Sequence, residues 1–476
     1  MNSEINVQDG PSVHTRPLWG KEKFYYVLDQ YYFGLTNAAV QVTMHCQWDE
    51  AELEERVDCA TTLVSTAYPI MLAYVAPHAD SARMRCTVPK TWNETRKAIS
   101  AKIKKYETLD NEKFMETILT EEVGKIRGIH FFWAPLYQKG DRHTYTFALA
   151  GPHSLVDAHG AMILLSRVLT AMPNALELTH TQWSVISKSP REALPPPLNT
   201  LRATSKATPD MASRCMKKWR EDNSKISYVL PPKTRARSSE GVSRRVVFTF
   251  SEEESMRLFQ KHRSLGVTMN TALQASLWMA TVILAPPSAE HYKNHHCLSV
   301  FGIDARPQLK PEWQSYIGVG LTDACFSCPL GVATGPDRKV ALTQMMQKIS
   351  ADMKFWRENM HALLDTVEIT TEGTVPRLID AAQNGMSNCN AFTANLGVMD
   401  HMIPHLYGTA GSRNAIEISE IAGISRVTQP QYVTRAWTYK GKCTIQVGYN
   451  DYFYDTAQIE EFLKTGVEVL RSTLEL

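Results

Sequence analysis

Two periodicities alternate along the first third of the chain, and they meet at one turn. Thr144 to Gly151 alternates and then runs apolar through Phe147-Ala148-Leu149-Ala150, which predicts a strand ending at Pro152-His153. Four positions after the histidine comes Asp157. The run Ala161-Met162-Ile163-Leu164-Leu165-Ser166-Arg167-Val168-Leu169 that follows predicts a helix with Asp157 at its start. A strand, a short loop and a helix thus place one titratable ring and one carboxylate in a single tight turn.

The same contrast organises the rest of the N-terminal part. Phe24 to Val42 has the aromatic and β-branched content of strand. Trp48-Asp49-Glu50 opens a helix to about Ala67, with Leu53, Val57, Ala60, Leu63 and Val64 at helical spacing. Pro69 ends it, and Ile70 to Val75 returns to strand character, while Lys113 to Val123 reads as an amphipathic helix. From about Asn174 to Gly241 proline, serine and basic residues dominate, including Pro195-Pro196-Pro197 and Lys233-Thr234-Arg235-Ala236-Arg237. That stretch predicts a crossover linker with some helix around Ala212 to Arg220. Its cations are those of a solvated connector, or of a segment that contacts an anionic cofactor.

A second patterned half begins at Arg245-Val246-Val247-Phe248-Thr249-Phe250. Ser251 and Glu254 have capping-box spacing ahead of a helix whose stripe starts at Met256, Leu258 and Phe259. Thr268 caps a further helix that Pro286-Pro287 closes after Leu284. Leu298 to Ile303 predicts a strand running into Asp304-Ala305-Arg306-Pro307, and Cys443 to Tyr449 another, followed by a helix from Thr456 to Leu474.

A chain of 476 residues with this division exceeds one ordinary core. The predicted organisation is an N-terminal domain over 1–185, a linker over 186–243 and a C-terminal domain over 244–476, both domains α/β. The formal charge of +2 gives no global electrostatic reason for a nucleic-acid or membrane partner. The polar start Met1 to Gly10 lacks signal-peptide order, and the longest apolar run, Leu277 to Pro287, is far short of a membrane span. Nine scattered cysteines fit a reducing, cytosolic setting. Neither Cys325-Phe326-Ser327-Cys328 nor His291, His295, His296 and Cys297 has a zinc-site pattern, so no metal is expected.

Three roles compete for His153, Asp157 and His159. The histidine can be a structural hydrogen-bonding residue, or the three can be metal ligands, although their spacing matches no helical His-x-x-x-His face. In the third reading His153 is a general base. Imidazole titrates near neutrality and can take the proton of an alcohol attacking an acyl carbon, while Asp157 caps the helix and holds the loop.

At these residues the chain resembles the chloramphenicol-acetyltransferase-like superfamily, which includes condensation domains, plant BAHD acyltransferases and fungal trichothecene O-acetyltransferases. His153-Ser154-Leu155-Val156-Asp157 fits the family's His-x-x-x-Asp motif. Ala67-Tyr68-Pro69-Ile70-Met71 resembles the end of its first helix, and Thr268 to Leu284 a helix early in its second half. Ile303 to Pro307 is similar to its strand ending in arginine, Thr393-Ala394-Asn395-Leu396-Gly397 to its Ser-Asn-Leu-Gly turn, and Cys443 onward to its closing strand and helix. Pro152 stands where condensation domains carry a second histidine, Ala158 stands where glycine is usual, and the BAHD Asp-Phe-Gly-Trp-Gly segment is absent. The overall resemblance is greatest to the trichothecene 15-O type.

The resemblance implies two chloramphenicol-acetyltransferase-like α/β sandwich domains with a substrate tunnel at their interface. It implies that His153 deprotonates an acceptor hydroxyl, with no acyl-enzyme, and that Asp157 is structural and pairs with an arginine, for which Arg306 is the candidate. Thr393, Asn395 or a backbone N–H of the turn to Gly397 is the candidate oxyanion donor. The co-substrate would be acyl-CoA, with acetyl-CoA foremost, and no cofactor is tightly bound. The partners would be a small-molecule alcohol and the thioester, with the enzyme a monomer. Two alternatives stay open: a carrier protein as the thioester donor, or a use of the tunnel other than acyl transfer, such as cyclisation.

Overall fold

The structure is a computed structural model that describes residues 11–78, 81–177, 194–236, 238–387 and 391–476. The polar start Met1 to Gly10 and the expected 185/186 boundary lie outside the described residues. The chain forms two compact units, each discontinuous in sequence. Unit 1 comprises Met1–Leu201, Leu309–Gly320 and Asp400–Arg426; unit 2 comprises Arg202–Gln308, Leu321–Met399 and Val427–Leu476. Two contiguous domains were the expectation from the sequence. Instead, two later segments return to unit 1: Leu309–Gly320, and Asp400–Arg426, whose Leu406–Tyr407 and Ile416–Ser425 supply strands to its main sheet.

That sheet has six strands in the order Leu406–Tyr407, Ile416–Ser425, Ala38–Cys46, Arg142–Gly151, His130–Lys139, Ile103–Lys105. All neighbours are antiparallel except the last pair. Arg142–Gly151 is an interior strand, buried on both faces from Thr144 onward, which explains why its alternation gives way to a continuous apolar run. Helices Glu50–Ala67 and Ala158–Ala171 pack together beside the sheet. Asp49 caps the first by accepting the Glu52 N–H. A three-stranded sheet, Ser12–Pro17, Ser81–Val88 and Tyr74–His78, completes the unit.

Unit 2 is built on a seven-stranded mixed sheet. Its main path is Leu321–Pro329, His295–Asp304, Ala391–Val398, Val433–Tyr439, Lys442–Asn450, Ser243–Thr249, and Ile226–Ser227 also pairs with His295–Asp304. Helix Met269–Leu284, buried nearly throughout, packs between Thr456–Ser472 and Arg338–Glu358. Its burial on all sides accounts for the long apolar run that ends at Pro287. Among the described residues no single helix is long and apolar enough to cross a membrane.

The structure corrects several local expectations. Phe24 to Val42 is not one strand: Lys21–Tyr31 is helical, a turn follows, and the strand begins at Ala38. Tyr25 and Leu28, three apart on one helical face, are buried, so packing overrides the strand propensity of the aromatic residues. Ile70 to Val75 divides into a 3-10 turn, Pro69–Leu72, and a strand, Tyr74–His78. In helix Glu252–Ser264 the buried positions are Ser255, Leu258 and His262, whereas Met256 is half exposed. Within the expected linker, Pro209–Asn223 is a helix of unit 2, longer than the Ala212 to Arg220 stretch. Thr393 to Gly397 is not a turn but part of strand Ala391–Val398, interrupted by a bulge between Asn395 and Gly397.

Candidate active site

His153 lies two residues beyond strand Arg142–Gly151, at the start of the loop before helix Ala158–Ala171. Its ring stacks on Tyr25, with centroids 3.9 Å apart and planes at 15°. Its backbone N–H donates to Asn37 Oδ1 at 3.3 Å. Asn37 is fully buried, and its amide donates to Asp29 Oδ1 at 2.5 Å and to the Val123 carbonyl at 3.1 Å. Burial raises the Asp29 carboxyl above its ordinary value, against hydrogen bonds from Asn37 and Gln30 that lower it. Asn37 is delivered by a turn in which Phe33, Gly34 and Thr36 all have positive φ, a conformation costly for the two non-glycine residues. The imidazole is therefore held from two sides by helix Lys21–Tyr31 and the turn after it. Its Nδ1 is buried.

Asp157 is the N-cap of the following helix, 3% exposed. Its Oδ1 accepts the Gly160 N–H at 2.8 Å and its Oδ2 accepts the Gly320 N–H, also at 2.8 Å. The same returning segment presses on Gly160, where an added Cβ would lie 1.9 Å from the Ile317 carbonyl oxygen. The loop carrying His153 is thereby pinned to the Leu309–Gly320 segment by one carboxylate and one missing side chain. His159 is half-buried on the first helical turn.

The other expected site residues belong to unit 2. Arg306 opens a 3-10 turn after strand His295–Asp304 and is buried; its Nη1 lies 3.0 Å from Asp304 Oδ1. The Thr393 hydroxyl donates to Gln274 Oε1 at 2.6 Å, and Gln274 in turn donates to Ser299, which Trp278 also reaches. Asn395 Oδ1 accepts the Gly397 N–H at 2.8 Å, and Gly397 has a φ of 73°, so these two residues form the bulge. Thr393, Asn395 and Gly397 border a cavity of about 1030 Å³ within unit 2, whose walls also include Phe301, Trp437 and Met353.

Sequence reasoning missed Tyr25, Asn37, Gly160 and Gly320. The first two lie in the stretch assigned to strand. The Gly318-Val319-Gly320 doublet was a readable signal of close backbone approach, but its partner is visible only in three dimensions. Among the described residues no group of His, Cys, Asp and Glu side chains is placed to hold a metal ion.

No protein-family model matches the chain. The loline biosynthesis cluster 1 transcription factor lolU1 of Epichloe uncinata is 23% identical over 242 residues, covering 48% of this chain and 46% of that protein. The chain thus matches about half the length of that curated relative. Among solved structures, the TRI3 trichothecene 15-O-acetyltransferase of Fusarium sporotrichioides aligns with a TM-score of 0.82 at 16% identity, over 97% of this chain and 95% of that one. The epimerization domain from the third module of tyrocidine synthetase B aligns at 0.62 and 13% identity, over 98% and 99%. The starter condensation domain of rhizomide synthetase, solved with C8-CoA and Leu-SNAC, aligns at 0.61 and 10% identity, over 97% and 94%. At these identities the likeness establishes the fold.

Proposed function

We propose that this chain, which has the fold of the chloramphenicol-acetyltransferase-like superfamily, is an acyltransferase that moves an acyl group, acetyl foremost, from a CoA thioester to a hydroxyl of a secondary metabolite. The observation that carries the reading is the division of labour at the His153 turn. The carboxylate of Asp157 accepts the backbone N–H groups of Gly160 and Gly320, while the backbone N–H of His153 donates to Asn37 and its ring stacks on Tyr25. A ring fixed in this way suits a general base, and a carboxylate so engaged suits a scaffold role.

With Nδ1 buried, Nε2 is the nitrogen assigned to substrate. It takes the proton of the acceptor hydroxyl as the oxygen attacks the thioester carbonyl. Collapse of the tetrahedral intermediate breaks the carbon–sulfur bond, and the proton passes from the imidazolium to the departing thiolate. An ester and a free thiol result, with no covalent enzyme intermediate. The rate comes from holding the two substrates together and from excluding water. Thr393, Asn395 and the backbone N–H groups of the bulge to Gly397 remain the candidates for stabilising the oxyanion of the tetrahedral intermediate.

Incubation with acetyl-CoA and a panel of hydroxylated metabolites, followed by thiol release, tests the reading. Wild-type protein releases thiol with an accepted alcohol, and His153→Ala, still folded, does not. Near-wild-type turnover by His153→Ala would refute the general-base role. The condensation and epimerization domains among the similar structures favour one second reading, in which the thioester arrives on a carrier protein. Turnover with a loaded carrier and silence with CoA esters would establish it.

A further inference from the structure

Helix Lys21–Tyr31 reaches the His153 loop by two side chains of one face. Tyr25 and Asp29 are four residues apart, so both leave the same side of the helix. Tyr25 stacks on the imidazole. The Asp29 carboxylate, 8% exposed, meets the Asn37 amide whose oxygen accepts the His153 N–H. A negative charge at position 29 does not serve the helix. It stands in the last turn, at the negative end of the dipole, and burial raises the carboxyl above its ordinary value.

What the carboxylate supplies is a direction for Asn37. That side chain is fully buried among three hydrogen-bonding groups. The Asp29 carboxylate and the Val123 carbonyl only accept, and the His153 N–H only donates. One amide orientation satisfies all three, with Nδ2 toward the acceptors and Oδ1 toward His153. The groups around Asp29 are donors and cations: Gln30 Nε2 donates at 2.6 Å, Arg127 Nη1 lies 3.6 Å away, and the Arg426 charge acts on it too. That is the setting of an ionised acceptor. The backbone of the turn is held separately. The Arg426 N–H donates to the Asn37 carbonyl at 2.8 Å, and the Arg426 guanidinium donates to the carbonyls of Phe33, Leu119 and Thr120. Asp29 thus acts on the direction of one amide rather than on the path of the chain.

We infer that Asp29 and Asn37 are positioning residues for His153: the carboxylate orients the amide, and the amide oxygen holds the backbone from which the imidazole projects. The consequence for catalysis rests on the general-base reading above; the hold on the loop does not.

The test uses variants of the full chain. Asp29→Asn keeps the volume but lets residue 29 donate as well as accept, so the Asn37 amide loses its enforced direction. The folded variant should show kcat for acetyl transfer lower by roughly tenfold, with KM for acetyl-CoA little changed. Asn37→Asp sets two carboxylates together and should lose more. The swap Asp29→Asn/Asn37→Asp again faces one carboxylate with one amide and keeps an acceptor for the His153 N–H. It should regain most of the kcat lost by Asn37→Asp, a recovery that two space-filling residues would not show. Hydrogen exchange over Gly151–Asp157, followed by mass spectrometry, reads the hold without turnover. It should be faster in Asp29→Asn and return toward wild type in the swap. Should Asn37→Asp fail to fold, the isosteric Asp29→Asn still decides. Unchanged hydrogen exchange in Asp29→Asn, or a swap no better than Asn37→Asp, would overturn the inference. If the loop loosens but wild-type protein moves no acyl group from any thioester, the hold stands and the acyl-transfer reading fails. If acetyl transfer occurs and is indifferent to Asp29→Asn, that reading stands and the positioning role fails.

Discussion

The ring of Tyr25 lies parallel to the His153 imidazole, 3.9 Å from it, on a helix more than a hundred residues earlier in the chain. An aromatic face at that distance restrains ring rotation and fixes the plane of the imidazole. Tyr25 is thus a positioning residue under the proposed mechanism. Tyr25→Phe keeps the face and should keep near-wild-type kcat. Tyr25→Leu should lower kcat roughly tenfold, from loss of stacking worth on the order of 1 kcal/mol or more. Steady-state kinetics alongside melting temperatures separate this from a packing defect: kcat falls with KM little changed in a Tyr25→Leu variant that stays folded, and Tyr25→Phe restores it.

Asp157 answers for stability as well as activity. Truncation to Ala would leave the buried N–H groups of Gly160 and Gly320 without their acceptor. The expected cost is about 2–4 kcal/mol, from one lost cap and one lost long-range anchor. Asp157→Asn retains one carbonyl oxygen and should fall between. Urea midpoints alongside turnover check the pairing: activity should fall together with stability, whereas His153→Ala should lose activity alone.

How much of this was legible depends on the range of the interaction. The cap of Asp157 on Gly160 spans three residues, so helix-start chemistry revealed it, as it revealed Thr268 and Ser251. Helix Met269–Leu284 and strand Lys442–Asn450 have strong patterns and fall almost where the pattern placed them. Gly320, Tyr25 and Asn37 act on the His153 turn from far away in sequence, and no local periodicity encodes them. Helix Lys21–Tyr31 shows the same limit from the other side, since its aromatic residues carry strand propensity and only burial makes them helical. Thr393 to Gly397 resembles a family turn in sequence, but its place inside strand Ala391–Val398, with a bulge at Asn395 and Gly397, depends on pairing with Val433–Tyr439 some forty residues later.

Gly160→Ala should be far more damaging than an alanine in a helix normally is. Intrinsic propensity favours alanine over glycine by about 1 kcal/mol. Here the new methyl would sit 1.9 Å from the Ile317 carbonyl oxygen, with Val156 also close, so backbone must move. Separation of the helix from the Leu309–Gly320 segment would also pull Gly320 from Asp157. A net loss of roughly 3 kcal/mol or more is expected, measured as a fall in melting temperature. A variant as stable as wild type would show that the segment does not bear on this helix.

The acid stability of unit 2 should depend on Asp222. This carboxylate is 2% exposed and meets Lys218 at 3.0 Å and Lys225 at 2.7 Å, while Ser327 donates to it at 3.0 Å. Lys218 also meets Asp352 at 2.9 Å, which ties helix Pro209–Asn223 to helix Arg338–Glu358. Burial alone would raise the Asp222 carboxyl, but Lys225 and Lys218 outweigh it and hold it below the ordinary carboxylate value. Burial likewise works to lower the Lys218 ammonium, and Asp352 and Asp222 hold it above the usual lysine value instead. The sign follows from proton counting. With its folded pKa depressed, Asp222 contributes fully above the unfolded value near pH ~4, and that contribution is lost as pH falls through the folded value. The raised Lys218 contributes fully below its unfolded value and loses this only as pH rises through the folded one, so neutrality lies on a plateau. Asp222→Asn should therefore cost about 2 kcal/mol at pH ~7, a figure reduced from the buried-pair range for partial solvent screening. Its deficit against wild type should shrink on acidification below pH ~4. Urea midpoints measured across the acid range check this, and a deficit that stays constant with pH would remove Asp222 from the acid response.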